Sequence, residues 1–203
     1  TQQQLLNTRP TEPQMRNYLA AILRIGHTLD RASLQKEIRH ALGEQQQRKE
    51  QIIRHGAAFL VTTFKKNIAV YTHCHSSTVT GILIRAAKKK NITVRNTETR
   101  PLLQGRITAA ELAAGGIRVE HYVDAAMREA MVDVDVILLG ADAFTRDGVY
   151  NKIGSELVGH LASHFHIPLY ICATLWKYDA RRERIEQRPP FEVWNHAPKG
   201  VII

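Results

Sequence analysis

Residues 68–90, IAVYTHCHSSTVTGILIRAAKKK, decide the fold. The run IAVYTH (68–73) is apolar on both of its faces, as a strand sandwiched between two layers must be. A short polar loop follows, and residues 78–90 then repeat apolar side chains at helical spacing. The same unit recurs down the chain. ITVRNT (92–97) precedes a helical stretch at 107–115, IRVEHYV (117–123) one at 124–132, and DVILLG (135–140) one at 151–165; PLYICAT (168–174) closes the series. Short apolar strands alternating with helices of about ten residues predict an α/β domain over 67–203: a Rossmann-like parallel sheet with helices on both faces.

Upstream, residues 1–66 read as a small helical region. PQMRNYLAAILRIGHTL places Pro13 in a first turn, where its missing N–H costs nothing. Asp30 or Ser33 can cap a second helix running to about Phe64. Its middle, GEQQQRKEQ, is too polar to bury on any face, so it bridges solvent or packs on another subunit. No Pro/Ser linker, repeat or low-complexity tract interrupts the chain.

Composition narrows the function classes. With 203 residues and 44% hydrophobic side chains, a sizeable core can form. No run of about 18 apolar residues occurs, which excludes a membrane-spanning helix. The opening TQQQLLNTRP lacks the layout of a signal peptide, and the two cysteines, Cys74 and Cys172, are too few for a disulfide scaffold. A reducing, cytoplasmic setting is expected. Of the formal net charge of +9, most falls in residues 1–66. That balance suits anionic partners, phosphorylated sugars or nucleotide-derived metabolites among them. No recognisable nucleic-acid module accompanies it, so nucleic acid is set aside.

In parallel sheets, ligands lie beyond the carboxyl ends of the strands. After the first strand stands Thr72-His73-Cys74-His75-Ser76-Ser77-Thr78, hydroxyls and free N–H groups opening a helix, which is an anion site. A thiol there is expected to have a lowered pKa, although a buried cysteine beside a capped helix accounts for the same letters. His73, Cys74 and His75 are adjacent and have no second ligand pair, so no metal is expected. After the second strand, Arg100 precedes Pro101 and is biased to extended backbone that can project into a cleft. After the fourth, Asp142 follows the apolar strand directly, where partial desolvation suits proton transfer; a turn cap is the plainer alternative. Asn151 and Lys152 are expected to open the next helix and hold a phosphate or sugar oxygen. Lys177 follows the fifth strand between Trp176 and Tyr178.

The segments THCHSS, ETRPLLQGR, GAD and NKIGS resemble the superfamily that contains the regulatory subunits of eukaryotic initiation factor 2B. It also contains methylthioribose-1-phosphate isomerase and ribose-1,5-bisphosphate isomerase. The resemblance extends from Arg9 to about Trp194 and is nearest to the ribose-bisphosphate branch. It implies a Cys74/Asp142 acid–base pair in an aldose–ketose isomerase without metal or organic cofactor. It also implies that Arg9, Ser76, Ser77, Thr78, Asn151, Lys152 and Lys177 contact the phosphorylated sugar; Arg100 joins them as a phosphate ligand on its strand-end position alone. A non-catalytic regulatory or assembly subunit is the alternative it leaves open. Two departures are visible. The chain begins eight residues before Arg9, without the phosphate loop the isomerases carry upstream. The loop from Asp142 to Asn151 is one residue shorter than usual, a change able to move Asn151 and Lys152 out of reach.

Relatives of this kind pair through their sheet domains, so a homodimer or higher homo-oligomer is expected. Residues 117–132 supply a second reason: Val119, Tyr122, Val123, Ala126, Met127, Ala130 and Met131 lie on or near one apolar stripe. The stripe fits either a symmetry mate or the chain's own sheet.

Overall fold

A computed structural model describes Gln4, Leu6 and residues 13–26, 29–180 and 188–203. Helix α1 spans Pro13–Gly26 and helix α2 spans Arg31–Thr63. Asp30 caps α2, its carboxylate accepting from the Ser33 N–H at 2.8 Å. Helix α2 runs unbroken through its polar middle and buries only Ile53, Ala57 and Leu60, one stripe in its last turns. That stripe joins the same apolar core as Ile68, Val70, Ile92 and Val94 of the sheet.

The alternation then proceeds as the sequence predicts: β1 (Asn67–Thr72), α3 (Ser77–Ala87), β2 (Asn91–Thr97), α4 (Gln104–Ala114), β3 (Arg118–Tyr122), α5 (Met127–Met131) and β4 (Val136–Leu139). A two-residue hairpin follows, β5 (Ala143–Phe144) with β6 (Val149–Tyr150), then α6 (Ser155–His164) and β7 (Leu169–Ile171). The five-stranded sheet has the order β3-β2-β1-β4-β7, every pair parallel. The chain winds outward from β1 through β2 to β3, then returns to β4 on the other side of β1. The crevice between β1 and β4 is therefore the topological switch point, where ligands settle in open parallel sheets.

The two faces have separate cores. Helices α2, α3 and α4 cover one, with Leu60, Ile82, Leu83 and Leu112 packed on β1 and β2. Helices α5 and α6 cover the other, with Met127, Met131 and Val158 packed on Tyr71, Ile137 and Leu139. Met127, Ala130 and Met131 are thus spent on the chain's own sheet, while Val123 of the same stripe stays exposed. Among the described residues, no helix is long and apolar enough to cross a membrane.

The sequence reading misplaces one boundary that matters. Helix α6 begins at Ser155, not at residue 151, because Gly154 stands at φ +95°, outside any right-handed helix. Asn151 and Lys152 therefore sit in a connecting loop ahead of the helix, not in its first turn.

Candidate functional site

Cys74 lies just beyond β1 with φ at +66°, a left-handed backbone that non-glycine residues rarely adopt. Two threonines hold it there. Its N–H donates to Thr99 Oγ1 at 3.0 Å, and its carbonyl accepts from the Thr108 hydroxyl at 2.8 Å. Thr99 is itself fixed: its hydroxyl donates to the Thr97 carbonyl at 3.3 Å, and its N–H donates to Asp124 Oδ1 at 2.9 Å. With the Thr108 proton committed to Cys74, His75 donates from Nδ1 to Thr108 Oγ1 at 3.1 Å. The thiol thus stands on a backbone clamped from β2 and α4.

Next to it, His73 is buried, with both ring nitrogens engaged. Nε2 lies 2.8 Å from the Ile153 carbonyl and must donate to it, while Nδ1 lies 3.0 Å from Thr97 Oγ1. Burial lowers the His73 pKa, and Lys152 adds to the lowering; the Ile153 carbonyl and Asp124 oppose it. The neutral Nε2–H tautomer fits, with Thr97 donating to Nδ1 and Tyr71, at 3.4 Å, donating to Thr97.

The electrostatics of Cys74 correct the sequence expectation. Burial pushes its thiol up from the ordinary value; the His75 N–H and Lys152 pull it down, and Asp142 pushes it further up. Desolvation wins because Cys74 precedes the N-cap of α3 instead of sitting in its first turn. At neutral pH the group is a thiol, fit to give a proton.

Asp142 is exposed, although Ala141 and Ala143 on either side are buried, so the partial desolvation expected of it is absent. Its N–H donates to the Tyr150 carbonyl at 2.9 Å, which ties it to the hairpin. The shortened loop closes through that hairpin and keeps Lys152 within electrostatic reach of both Cys74 and His73. Asn151 donates from Nδ2 to Ser155 Oγ at 3.0 Å, and Lys177 donates to the Ala141 carbonyl from the turn after β7.

Ser76 is the N-cap of α3, its hydroxyl 3.4 Å from the Val79 N–H; Ser77 and Thr78 form the first turn. Gly140 ends β4 so close to this loop that a Cβ on it would stand 2.9 Å from Ser76 Oγ. Arg100 does not project into the site: its guanidinium donates to the Val193 carbonyl at 2.8 Å, and its N–H donates to Asp124 at 2.6 Å. Arg9 lies outside the described residues. One cation escaped the sequence reading altogether. Lys49, in the polar middle of α2, donates from Nζ to Ser77 Oγ at 2.9 Å. Thr97, Thr99 and Thr108 were also missed, although the strand register that aligns Thr72 with Asn96 sets the segments after both strands side by side.

The chain is similar to known proteins in sequence and in fold. The sequence model described as "Initiation factor 2 subunit family" matches residues 1–200. Ribose 1,5-bisphosphate isomerase of Pyrococcus furiosus is 34% identical over 201 residues, covering 93% of this chain and 62% of that protein. A putative methylthioribose-1-phosphate isomerase of Methanosphaera stadtmanae is 39% identical over 144 residues, 63% of this chain and 46% of that protein. The solved structure of the Pyrococcus horikoshii translation initiation factor eIF-2B superposes with a TM-score of 0.73 at 29% identity, over 87% of this chain and 62% of that one. The chain thus spans between about half and somewhat less than two thirds of the length of these relatives.

Proposed function

Since the chain belongs to the initiation factor 2 subunit family, we propose that it acts as an aldose–ketose isomerase on a pentose phosphorylated at C1, ribose 1,5-bisphosphate or a near relative. Such a sugar has no free anomeric hydroxyl through which to open its ring. An acid must protonate the ring oxygen, a base must take the proton of the C2 hydroxyl, and the hydrogen on C2 must pass to C1, which leaves the ketone at C2; atoms and electrons balance within the substrate. Cys74 is the acid, since burial keeps its proton on at neutral pH, and Asp142 is the complementary base. Ser76, Ser77 and Thr78 at the N-terminus of α3, with Asn151, Lys152 and Lys177, hold the phosphates and hydroxyls, and Lys49 adds a positive charge beside Ser77.

The observation that carries this reading is that the Cys74–Ser77 loop after β1 and the Gly140–Asp142 segment after β4 meet at the switch point, where a Cβ on Gly140 would stand 2.9 Å from Ser76 Oγ; Lys152 and Asp142 both bear on the thiol there. Similarity to isomerases of two related sugar phosphates supports it. Arg9 is kept as a further phosphate ligand on resemblance alone. Cytoplasmic residence and self-association belong to the same proposal, and light scattering over a dilution series tests the second: a mass fixed at 23.0 kDa would refute it. The deciding experiment incubates the protein with ribose 1,5-bisphosphate and with methylthioribose 1-phosphate and follows the products by NMR. A ketose signal from either is expected. Tight binding of both without turnover would replace the enzyme with a regulatory subunit.

A further inference from the structure

We infer that His73 is a positioning residue, the tether that holds the Asn151–Lys152–Ile153 loop against the Cys74 loop. Among the described residues, no other side-chain hydrogen bond joins the two loops. The imidazole reaches from the end of β1 to the Ile153 carbonyl at 2.8 Å, one residue past Lys152. Its other nitrogen is fixed 3.0 Å from Thr97 Oγ1, which β2 carries. The loop is shaped to receive it. Gly154 is left-handed at φ +95°, and a Cβ on it would lie 2.9 Å from His73 Nε2, so the loop approaches the ring as closely as a backbone can.

The tether has a chemical consequence. Lys152 pulls the Cys74 thiol down, and it does so from the loop that His73 anchors. Cutting the tether lets Lys152 recede, so the thiol rises further without any change to Cys74 or Lys152. The charged and titratable groups facing His73 are Asp124 and Lys152, and those facing Cys74 are Asp142 and Lys152. The inference rests on the reading of Cys74 and Lys152 as parts of one site. It does not need turnover.

The experiment follows alkylation of Cys74 by iodoacetamide against pH in the full chain, resolved by peptide mass spectrometry so that Cys172 is read separately. His73→Asn, which cannot reach Ile153, should move the midpoint upward. Lys152→Ala should move it upward as well, and the double variant should go no further than Lys152→Ala alone, the signature of one residue acting through the other. His73→Gln can still donate to the Ile153 carbonyl and should stay near the parent. An unmoved midpoint in His73→Asn, or a shift that adds in full to that of Lys152→Ala, would overturn the tether. Should His73→Asn not fold, 15N NMR of the unsubstituted protein decides: an Nε2–H imidazole is expected, and an Nδ1–H imidazole refutes the inference. Failure of the isomerase assay would leave each of these readings intact.

Discussion

The two ends of the sheet treat charge in opposite ways. Toward the amino ends, where Arg118 opens β3, Arg95 from within β2 pairs with Glu120 of mid-β3 at 2.8 Å and also donates to the Val132 carbonyl, while Arg118 takes the other oxygen of Glu120 at 3.0 Å. Asp135 accepts from the Ala69 N–H at 2.8 Å. These charges serve one another, and the Arg95 and Arg118 contacts hold Glu120 below the usual carboxylate range. At the carboxyl ends, no ion pair among the described residues ties down Lys152 or Asp142; both act on a thiol instead. Charges that satisfy each other knit strands together, whereas charges left to bear on a titratable group are available for chemistry.

The strongest way to break this contrast is to substitute at both ends. Cys74→Ser and Asp142→Asn should each lower turnover by about 100-fold or more, the scale of a lost acid or base. Glu120→Gln should leave turnover at the parent level. Equal losses at both ends, measured by NMR product formation, would erase the distinction. A smaller effect is expected for Lys152→Ala and Lys49→Ala: isothermal titration with a pentose phosphate should show binding weakened by about tenfold for each, as for a lost charge-assisted contact. Unchanged affinity in Lys49→Ala would confine the site to the α/β portion.

Acid sharpens the comparison further. His73 and Asp124 both have folded pKa values below their ordinary ones; burial is the cause for His73, while for Asp124 the Arg100 and Thr99 N–H groups overcome the cost of burial. Each therefore contributes stability that is full above its unfolded value and lost as pH falls through its folded value. The thermal midpoint should begin to decline below about pH 6.5, where an unfolded histidine titrates, and decline again below about 3.8. In His73→Gln the first decline should be reduced; circular dichroism melts across pH would show it. The smallest effect belongs to the amino ends, where Glu120→Gln should cost less than about 1 kcal/mol in urea unfolding, because ion pairs that remain partly exposed are worth little.

Local periodicity made the sheet legible. Apolar runs such as DVILLG and IAVYTH state both their strand character and their two-sided burial, and the helices between them fix parallel order. The sequence also announced where to look, since His73–Thr78 and Gly140–Asp142 follow the two strands that flank the switch point. What it could not announce depends on depth and register. The rise of the Cys74 thiol comes from burial that no neighbour in sequence reports. Asp142 is exposed in a bend between the buried Ala141 and Ala143, a placement that the letters beside it do not state. Thr97, Thr99 and Thr108 become clamps only after β2 and α4 are laid beside β1. Lys49 comes from a helix whose polar middle gave no hint of which residue faces Ser77.

The crossing of α2 over α3 rests on two glycines that trade places. A Cβ at Gly56 would stand 2.7 Å from Ile82 Cδ1, and one at Gly81 would stand 2.7 Å from Ile53 Cδ1. Each isoleucine fills the notch that the opposite glycine leaves, so the axes run closer together than ordinary side chains permit. That spacing also governs how far Lys49 must reach to Ser77. A methyl group at either glycine would act as a shim, prising the helices apart and drawing the ammonium back from the hydroxyl with no change at the carboxyl ends of the strands. The separation of two helix backbones is, in this chain, the gauge that sets the reach of a charge.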